Sequence, residues 1–198
     1  MEFFALVEPD GKVGRTYPLI FQPRVERADP LDTGFVEGNE VPSKPIELIR
    51  EAGSGTCDFH SIRHMGGYVV SMGFTEALRI HECSGWGTYP VIVRAKKDAL
   101  LEGYEGLVVL GRATSIDRSK VRELRYPHPL GFTQIVHVGY RIPEASWDGK
   151  DVFFVFTPSG GMGLNIFLTE RAAIALRSRP FKGFTIEAVS KVQWTQKY

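Results

Sequence analysis

Leu168–Val189, L-T-E-R-A-A-I-A-L-R-S-R-P-F-K-G-F-T-I-E-A-V, decides how the chain is organised. A strand enters it through Asn165-Ile166-Phe167-Leu168. Thr169 stands where an N-cap belongs, because a hydroxyl there accepts from an orphan N–H of the first helical turn. Ala and Leu positions supply the buried stripe of a short amphipathic helix running to about Ser178. Arg179-Pro180 stops that helix, since proline lacks the N–H that would continue it. Gly183 permits a positive φ, and Phe184–Val192 reads as a second strand.

The same order of signals occurs 98 residues upstream, with no gap. Ser71 aligns with Thr169, Ala77 with Ala175, and Leu78 with Leu176. Gly85 aligns with Gly183, Trp86 with Phe184, and Val91 with Val189. A strand, a hydroxyl cap, a helix, a glycine, an aromatic and a strand each do a different physical job. Self-similarity of that kind reports a repeated unit. An aspartate-aromatic strand also precedes each copy, Asp58-Phe59 in the first and Asp151–Phe156 in the second. The reading is therefore an α+β fold of two similar strand-helix-strand repeats, with mostly antiparallel sheets and short helices. Residues 1–125 form an N-terminal module with the first copy, and residues 126–198 a C-terminal module with the second.

The composition suits a packed core. Of 198 residues, 43% are hydrophobic and 12% aromatic, and the formal net charge is +1. That balance argues against a general nucleic-acid binder, which needs a basic face. Cys57 and Cys83 are too few for a disulfide framework. Met1–Glu8 lacks the basic flank and apolar run of a signal peptide, and no stretch reaches the length of a membrane helix. A cytoplasmic protein without a membrane partner is expected.

Around the two copies, Glu2–Val7 reads as a strand ended by Glu8-Pro9-Asp10-Gly11. Tyr17–Phe21 is a candidate second strand, followed by the irregular stretch Gln22–Val41. Pro45–Ala52 reads as a short helix with Ser43 as its cap. Cys57–His60 and Tyr68–Val70 read as strands, and Tyr89–Arg94 as the strand closing the first copy. Lys96–Leu101 suggests one or two helical turns. Gly106–Gly111 is an apolar run expected as a central strand. Phe132–Tyr140 is a further strand, and Thr157–Gly163 a glycine-rich hairpin loop.

Several groupings bear on chemistry. Cys57, His60, His64, His81 and Cys83 lie within 27 residues. Cys57-x-x-His60 and His81-x-Cys83 are spacings that zinc accepts. The paired Cys-x-x-Cys pattern is absent, and His81 and Cys83 sit at a helix end, where alternate residues point apart. A thiolate at Cys57 beside His60 would be a nucleophile, but no elbow, oxyanion loop or orienting acid accompanies it. Ser159-Gly160-Gly161 is no Gly-x-Ser-x-Gly. Thr169-Glu170-Arg171 reads as a helix start, with Arg171, Arg177 and Arg179 as a solvated edge. Trp86 and Trp194 read as core or sheet-edge residues. Trp147, in the turn Ser146–Gly149, is a candidate contact anchor. No enzyme, metal or cofactor is expected. The rival reading is a small hydrolase using Cys57 and its neighbouring histidines or a metal. A structural module with some other protein partner is a third.

Trp147-Asp148-Gly149-Lys150-Asp151-Val152-Phe153, Ile166–Arg171, Ala175-Leu176 and Lys182-Gly183-Phe184 resemble a superfamily of bacterial immunity proteins from polymorphic toxin systems. Asp58-Phe59 through Tyr89-Pro90 is similar to the upstream half of its double-CxxCG branch. The CxxCG pairs themselves are absent, so a metal role does not carry over. The resemblance implies a cytoplasmic antidote that binds a cognate protein toxin, and it brings no catalytic residues. Occlusion of the toxin's active site is expected through loops before each repeated strand. The candidate contacts are His60, Arg63, His64 and Met65, with Trp147, Asp148 and Lys150.

Overall fold

The computed structural model describes residues 1–7, 20–23, 44–52, 57–62, 67–95, 99–127, 131, 133–156 and 165–195. They form a mixed α+β protein, rich in strands, with two short helices. In chain order the strands are β1 (Phe4–Val7), β2 (Ile20–Pro23), β3 (Ile46–Ala52), β4 (Phe59–Ser61) and β5 (Tyr68–Ser71). Helix α1 (Met72–Ile80) follows, then β6 (Trp86–Tyr89), β7 (Val91–Arg94), β8 (Leu100–Leu101), β9 (Tyr104–Val109) and β10 (Gly111–Ala113). After them come β11 (Arg122–Pro127), β12 (Thr133–Val138), β13 (Val152–Val155), β14 (Phe167–Leu168), helix α2 (Glu170–Arg177), β15 (Thr185–Ala188) and β16 (Trp194–Thr195).

Two sheets carry the architecture. One has the order β10-β13-β14-β1-β15, the other β4-β5-β9-β6. Smaller sheets, β2-β3-β7-β8 and β11-β12-β16, complete the set among the described residues. Pairing is antiparallel except between β3 and β7 and between β10 and β13. The helices pack against each other.

Side chains alternate across each strand, and the alternation sorts them into separate cores. Phe4, Leu6, Val152 and Phe154 face a core shared with Phe59, Val70, Phe74, Leu78, Leu107 and the α2 stripe. Phe3, Ala5, Phe153, Val155 and Phe167 face a second core with Val189 and Val192. Val69 turns away from Val70 to meet Leu48, Ile62 and Val93. Both large sheets are thus covered on both faces. That is why Asp151–Phe156 reads as an unbroken apolar run rather than an alternating one.

Two sequence expectations give way to strands. Pro45–Ala52 holds β3, not a helix. Its apolar residues suit either element, and pairing decides: Ile46–Ile49 lie parallel to Val91–Arg94, with Leu48 fully buried. Ser43 lies outside the described residues. Of the expected helical turn Lys96–Leu101, residues 96–98 lie outside the described residues, and Leu100 and Leu101 form a strand antiparallel to Arg94 and Val93, with Ala95 N–H donating to Ala99 O at 2.8 Å. The first copy ends in two strands, broken at Pro90, where one was expected. The Gln22–Val41 stretch beyond Pro23 and the Thr157–Gly163 loop lie outside the described residues.

Pairing crosses residue 125, where a module boundary was expected. β1 lies between β14 and β15, and β10 lies on β13. The strand-helix-strand units also have matched surroundings. β9 separates β5 from β6, and β1 separates β14 from β15, antiparallel to both neighbours each time. Val69 and Tyr89 both pair with Gly106, and at the corresponding places Phe167 and Glu187 both pair with Ala5.

Candidate functional site

Each unit is anchored on one aspartate, set just before the strand that precedes the unit, Asp58 before β4 and Asp151 before β13. The Asp151 carboxylate is 3% exposed. Thr169 Oγ1 donates to its Oδ1 at 2.7 Å, and Ser84 N–H and Oγ donate to its Oδ2 at 2.8 and 2.9 Å. Arg171 closes the remaining side as a fork, Nε to Oδ1 at 3.1 Å and Nη2 to Oδ2 at 2.6 Å. A hydroxyl suits residue 169 because it donates and accepts at once. While donating to Asp151, Thr169 Oγ1 accepts from Ala172 N–H and caps α2. Burial alone would raise the Asp151 carboxyl. The Arg171, Ser84 and Thr169 donors outweigh it and hold the group below the usual carboxylate range. A buried carboxylate with this many donors stays ionised.

Asp58 repeats most of this arrangement. Ser71 Oγ donates to Oδ1 at 2.8 Å and caps α1 by accepting from Phe74 N–H. Lys182 N–H donates to Oδ2 at 2.8 Å. Ser71 N–H donates to Asp58 O, as Thr169 N–H does to Asp151 O, both at 2.9 Å.

The attachments are crossed. The turn after α1, Ser84-Gly85, binds Asp151 of the second unit. The turn after α2, Lys182-Gly183, binds Asp58 of the first. Val152 N–H donates to Ser84 O at 3.0 Å, and Asp58 N–H donates to Lys182 O at 2.8 Å. Both glycines have positive φ, 86° at Gly85 and 97° at Gly183. A Cβ on Gly85 would lie 2.4 Å from Val152 O, and one on Gly183 would lie 2.8 Å from Phe59 O. Glycine is therefore required at both turns for close approach as well as for conformation.

Two partners break the correspondence: Ser84 Oγ has no equivalent on Lys182, and among the described residues the place of Arg171 is empty of a cation. Arg171 is the second residue of α2, and the second residue of α1 is Gly73. Beside Asp58 lies a cleft of about 330 Å³, lined by Cys57, Asp58, Ser71, Glu102, Gly103, Tyr104 and Lys182. Tyr104 Oη donates to Cys57 O at 3.0 Å, shaping one wall.

The expected contact residues divide. His60 is inside, 1% exposed, with Nε2 3.0 Å from Cys57 O and its ring beside Tyr104. Arg63, His64 and Met65 lie outside the described residues. Trp147 is half-buried, edge-on to Phe3, and its Nε1–H donates to Lys150 O at 2.7 Å. It braces its own turn instead of projecting from it. Asp148 and Lys150 are exposed. Asp148 Oδ1 accepts from Lys150 N–H, and Oδ2 accepts from Arg112 N–H at 2.8 Å, which locks the turn onto β10. The two expected segments are not equivalent in space. A Cβ on Gly85 would meet Lys150 and one on Gly183 would meet Cys57, so the counterpart of Lys150 is Cys57, ahead of His60.

The thiols are held protonated. Burial raises Cys57, Asp58 adds to this, and Lys182 opposes it. Burial, with Asp151 adding and Arg171 opposing, pushes Cys83 up to about 11. Thiolate is the reactive form, so iodoacetamide is expected to label Cys83 of the native protein roughly 100-fold more slowly at pH 7 than an ordinary thiol. Time-resolved mass spectrometry checks this, and labelling at the rate of the denatured chain would refute it. Among the described residues no three His, Cys, Asp or Glu side chains are placed to hold a metal ion.

The residues missed as a site are the two aspartates and the two turns that reach them. Their recurrence ahead of each copy was visible, but the crossing was not. Arg171, expected on a solvated edge, closes the Asp151 junction. Arg179 pairs with Glu76 of α1 at 2.7 Å, and Arg177 lies over the Phe4 ring. No protein-family model matches the chain, and no curated protein matches it in sequence.

Proposed function

We propose that this chain is an immunity protein, which binds a cognate toxin in the cytoplasm and neutralises it by covering the toxin's active site. One observation carries the reading. Among the residues through which the sequence resembles the immunity superfamily, Asp151 accepts from Ser84 of the other unit while Thr169 and Arg171 hold it, and Lys182-Gly183 reaches Asp58 of the other unit. A short motif spread over the chain makes sense if it maintains one scaffold while exposed loops vary with the toxin. The same correspondence supports an internal duplication in which each copy's first strand, β1 or β9, is inserted into the other copy's sheet.

Exposed Asp148 and Lys150, together with Arg63, His64 and Met65, are the proposed contacts. Trp147 braces the turn that carries Asp148 and Lys150. Co-expression with the product of the neighbouring gene tests the reading. The neighbour alone is expected to arrest growth, and this chain to restore growth and elute with it as a stable complex. A harmless or unbound neighbour would overturn the proposal. Alanine at both Asp148 and Lys150 is expected to weaken the complex at least tenfold, and an unchanged affinity would move the interface elsewhere.

A further inference from the structure

The two aspartate junctions differ in one respect that points to a ligand. At Asp151 every side of the carboxylate is engaged, and the last side is taken by the Arg171 fork. At Asp58 the corresponding donors are present, Ser71 Oγ and Lys182 N–H, but the residue at the place of Arg171 is Gly73. Among the described residues no guanidinium or ammonium pairs with Asp58. Arg179, whose Nη1 would lie 3.8 Å from a Cβ on Gly73, is already paired with Glu76. What borders the carboxylate instead is the 330 Å³ cleft.

The cleft has the chemistry of a cation receptor. Asp58, Glu102 and Lys182 line it, so its lining carries one net negative charge, and Tyr104 contributes an aromatic ring. A planar guanidinium donates two parallel bonds to one carboxylate and stacks on an aromatic face, which an ammonium cannot do in the same geometry. At Asp151 the chain itself shows the two-bond carboxylate contact.

We propose that the Asp58 cleft receives a guanidinium group, in the place that Arg171 holds at Asp151, and that the group is an arginine side chain of the protein partner. The second half of this rests on the immunity reading, and the first half does not.

The test uses the full chain, labelled with ¹⁵N, and three capped amino acids as probes. Nα-acetyl-arginine methylamide is expected to shift the amides of Ser71 and Lys182. The lysine analogue, and the uncharged citrulline analogue of the same shape, are expected to bind at least tenfold more weakly. Asp58→Asn is expected to lose arginine binding at least tenfold. Because Asp58 also ties down Ser71 and Lys182, a second pair of variants covers the case in which Asp58→Asn fails to fold. Gly73→Arg supplies the missing fork from the chain itself, and is expected to raise Tm and abolish probe binding. Gly73→Ala removes the glycine without adding a guanidinium, and is expected to keep the probe site. No shift at Ser71 and Lys182, or equal probe affinity in Gly73→Arg and Gly73→Ala, would overturn the cleft assignment.

The partner arm is separate. Gly73→Arg is expected to weaken the complex with the co-expressed neighbour at least tenfold, and Gly73→Ala to leave it unchanged. If the probe binds but Gly73→Arg still holds the neighbour fully, the guanidinium is a free small molecule and the second half fails. If the probe binds and the neighbour is never bound, the immunity reading fails and the cleft assignment stands.

Discussion

Asp151→Ala is expected to destabilise the protein by roughly 3 kcal/mol, as the loss of a buried, fully bonded carboxylate does. The substitution strands the half-buried Ser84 N–H and the buried Thr169 hydroxyl, and leaves Arg171 without its partner. Arg171 is half-exposed and returns to water. Arg171→Ala should therefore cost much less, about 1 kcal/mol or below. Denaturant titrations check both, with the midpoint moving and the slope unchanged. Equal losses in the two variants would mean that the carboxylate acts only as a surface counter-ion.

The same group sets a pH dependence. Its native carboxyl is held below the ordinary value, so the unfolded chain binds its proton first as pH falls. The contribution of Asp151 is thus complete above the unfolded carboxylate range, near pH 4. It fades as acid titrates the native group. The stability gap between the protein and its Asp151→Ala variant should narrow over that window and stay constant from about pH 6 to 8. A gap that widened in acid would contradict the assigned direction.

Gly85→Ala is the second large effect, expected at roughly 3–4 kcal/mol. A left-handed φ costs a residue with a Cβ about 1–2 kcal/mol, and forced overpacking adds about 1–3 kcal/mol. Both apply here, since φ is 86° and the new carbon would sit 2.4 Å from Val152 O and 2.6 Å from Lys150 Cβ. The obstacle is backbone, which cannot swing aside. Gly183→Ala, with Phe59 O at 2.8 Å, should cost somewhat less. Gly149 shares the φ of 86°, but a Cβ there would meet nothing within 4 Å, so Gly149→Ala should cost only the conformational part. Thermal unfolding of the three variants orders them. If Gly85→Ala and Gly149→Ala matched, the close approach at Gly85 would carry no energy.

These turns show where sequence reading succeeds and where it stops. Ser71 and Thr169 could be placed as caps because a hydroxyl before an apolar stripe has a local meaning, and both do cap their helices. Gly85 and Gly183 were legible as turns for the same reason, and the α+β class with mostly antiparallel sheets followed from such local signals. The crossing of the turns onto Asp151 and Asp58 was not legible, because it depends on contacts between residues 67 and 124 positions apart. β3 was misread because Ile46, Leu48 and Ile49 suit a helix or a strand until Val91–Arg94 lies beside them. His60 was placed among the contacts by its position before a repeated strand, whereas it is buried with its ring beside Tyr104. The Asp58 cleft was invisible for a similar reason. A glycine at the second position of a helix means little until its counterpart is seen to be an arginine on a carboxylate.

The insertion of β1 between β14 and β15 has a consequence for how the molecule is made. Val7 pairs with Thr185, and Phe4 with Leu168 and Ala188. As the ribosome advances at roughly 5–20 residues per second, β1 emerges before β15 and waits on the order of ten to forty seconds for it. Through that interval its hydrogen-bonding edges are bare, and so is the place in the sheet that it will fill. A nascent chain cut short before β15 cannot close this sheet at all. Closing this sheet is thus a proofreading step built into the topology: only a chain carrying both β1 and β15 can complete it and bury Phe4 and Leu6, and a chain without β15 is left open to chaperones and proteases.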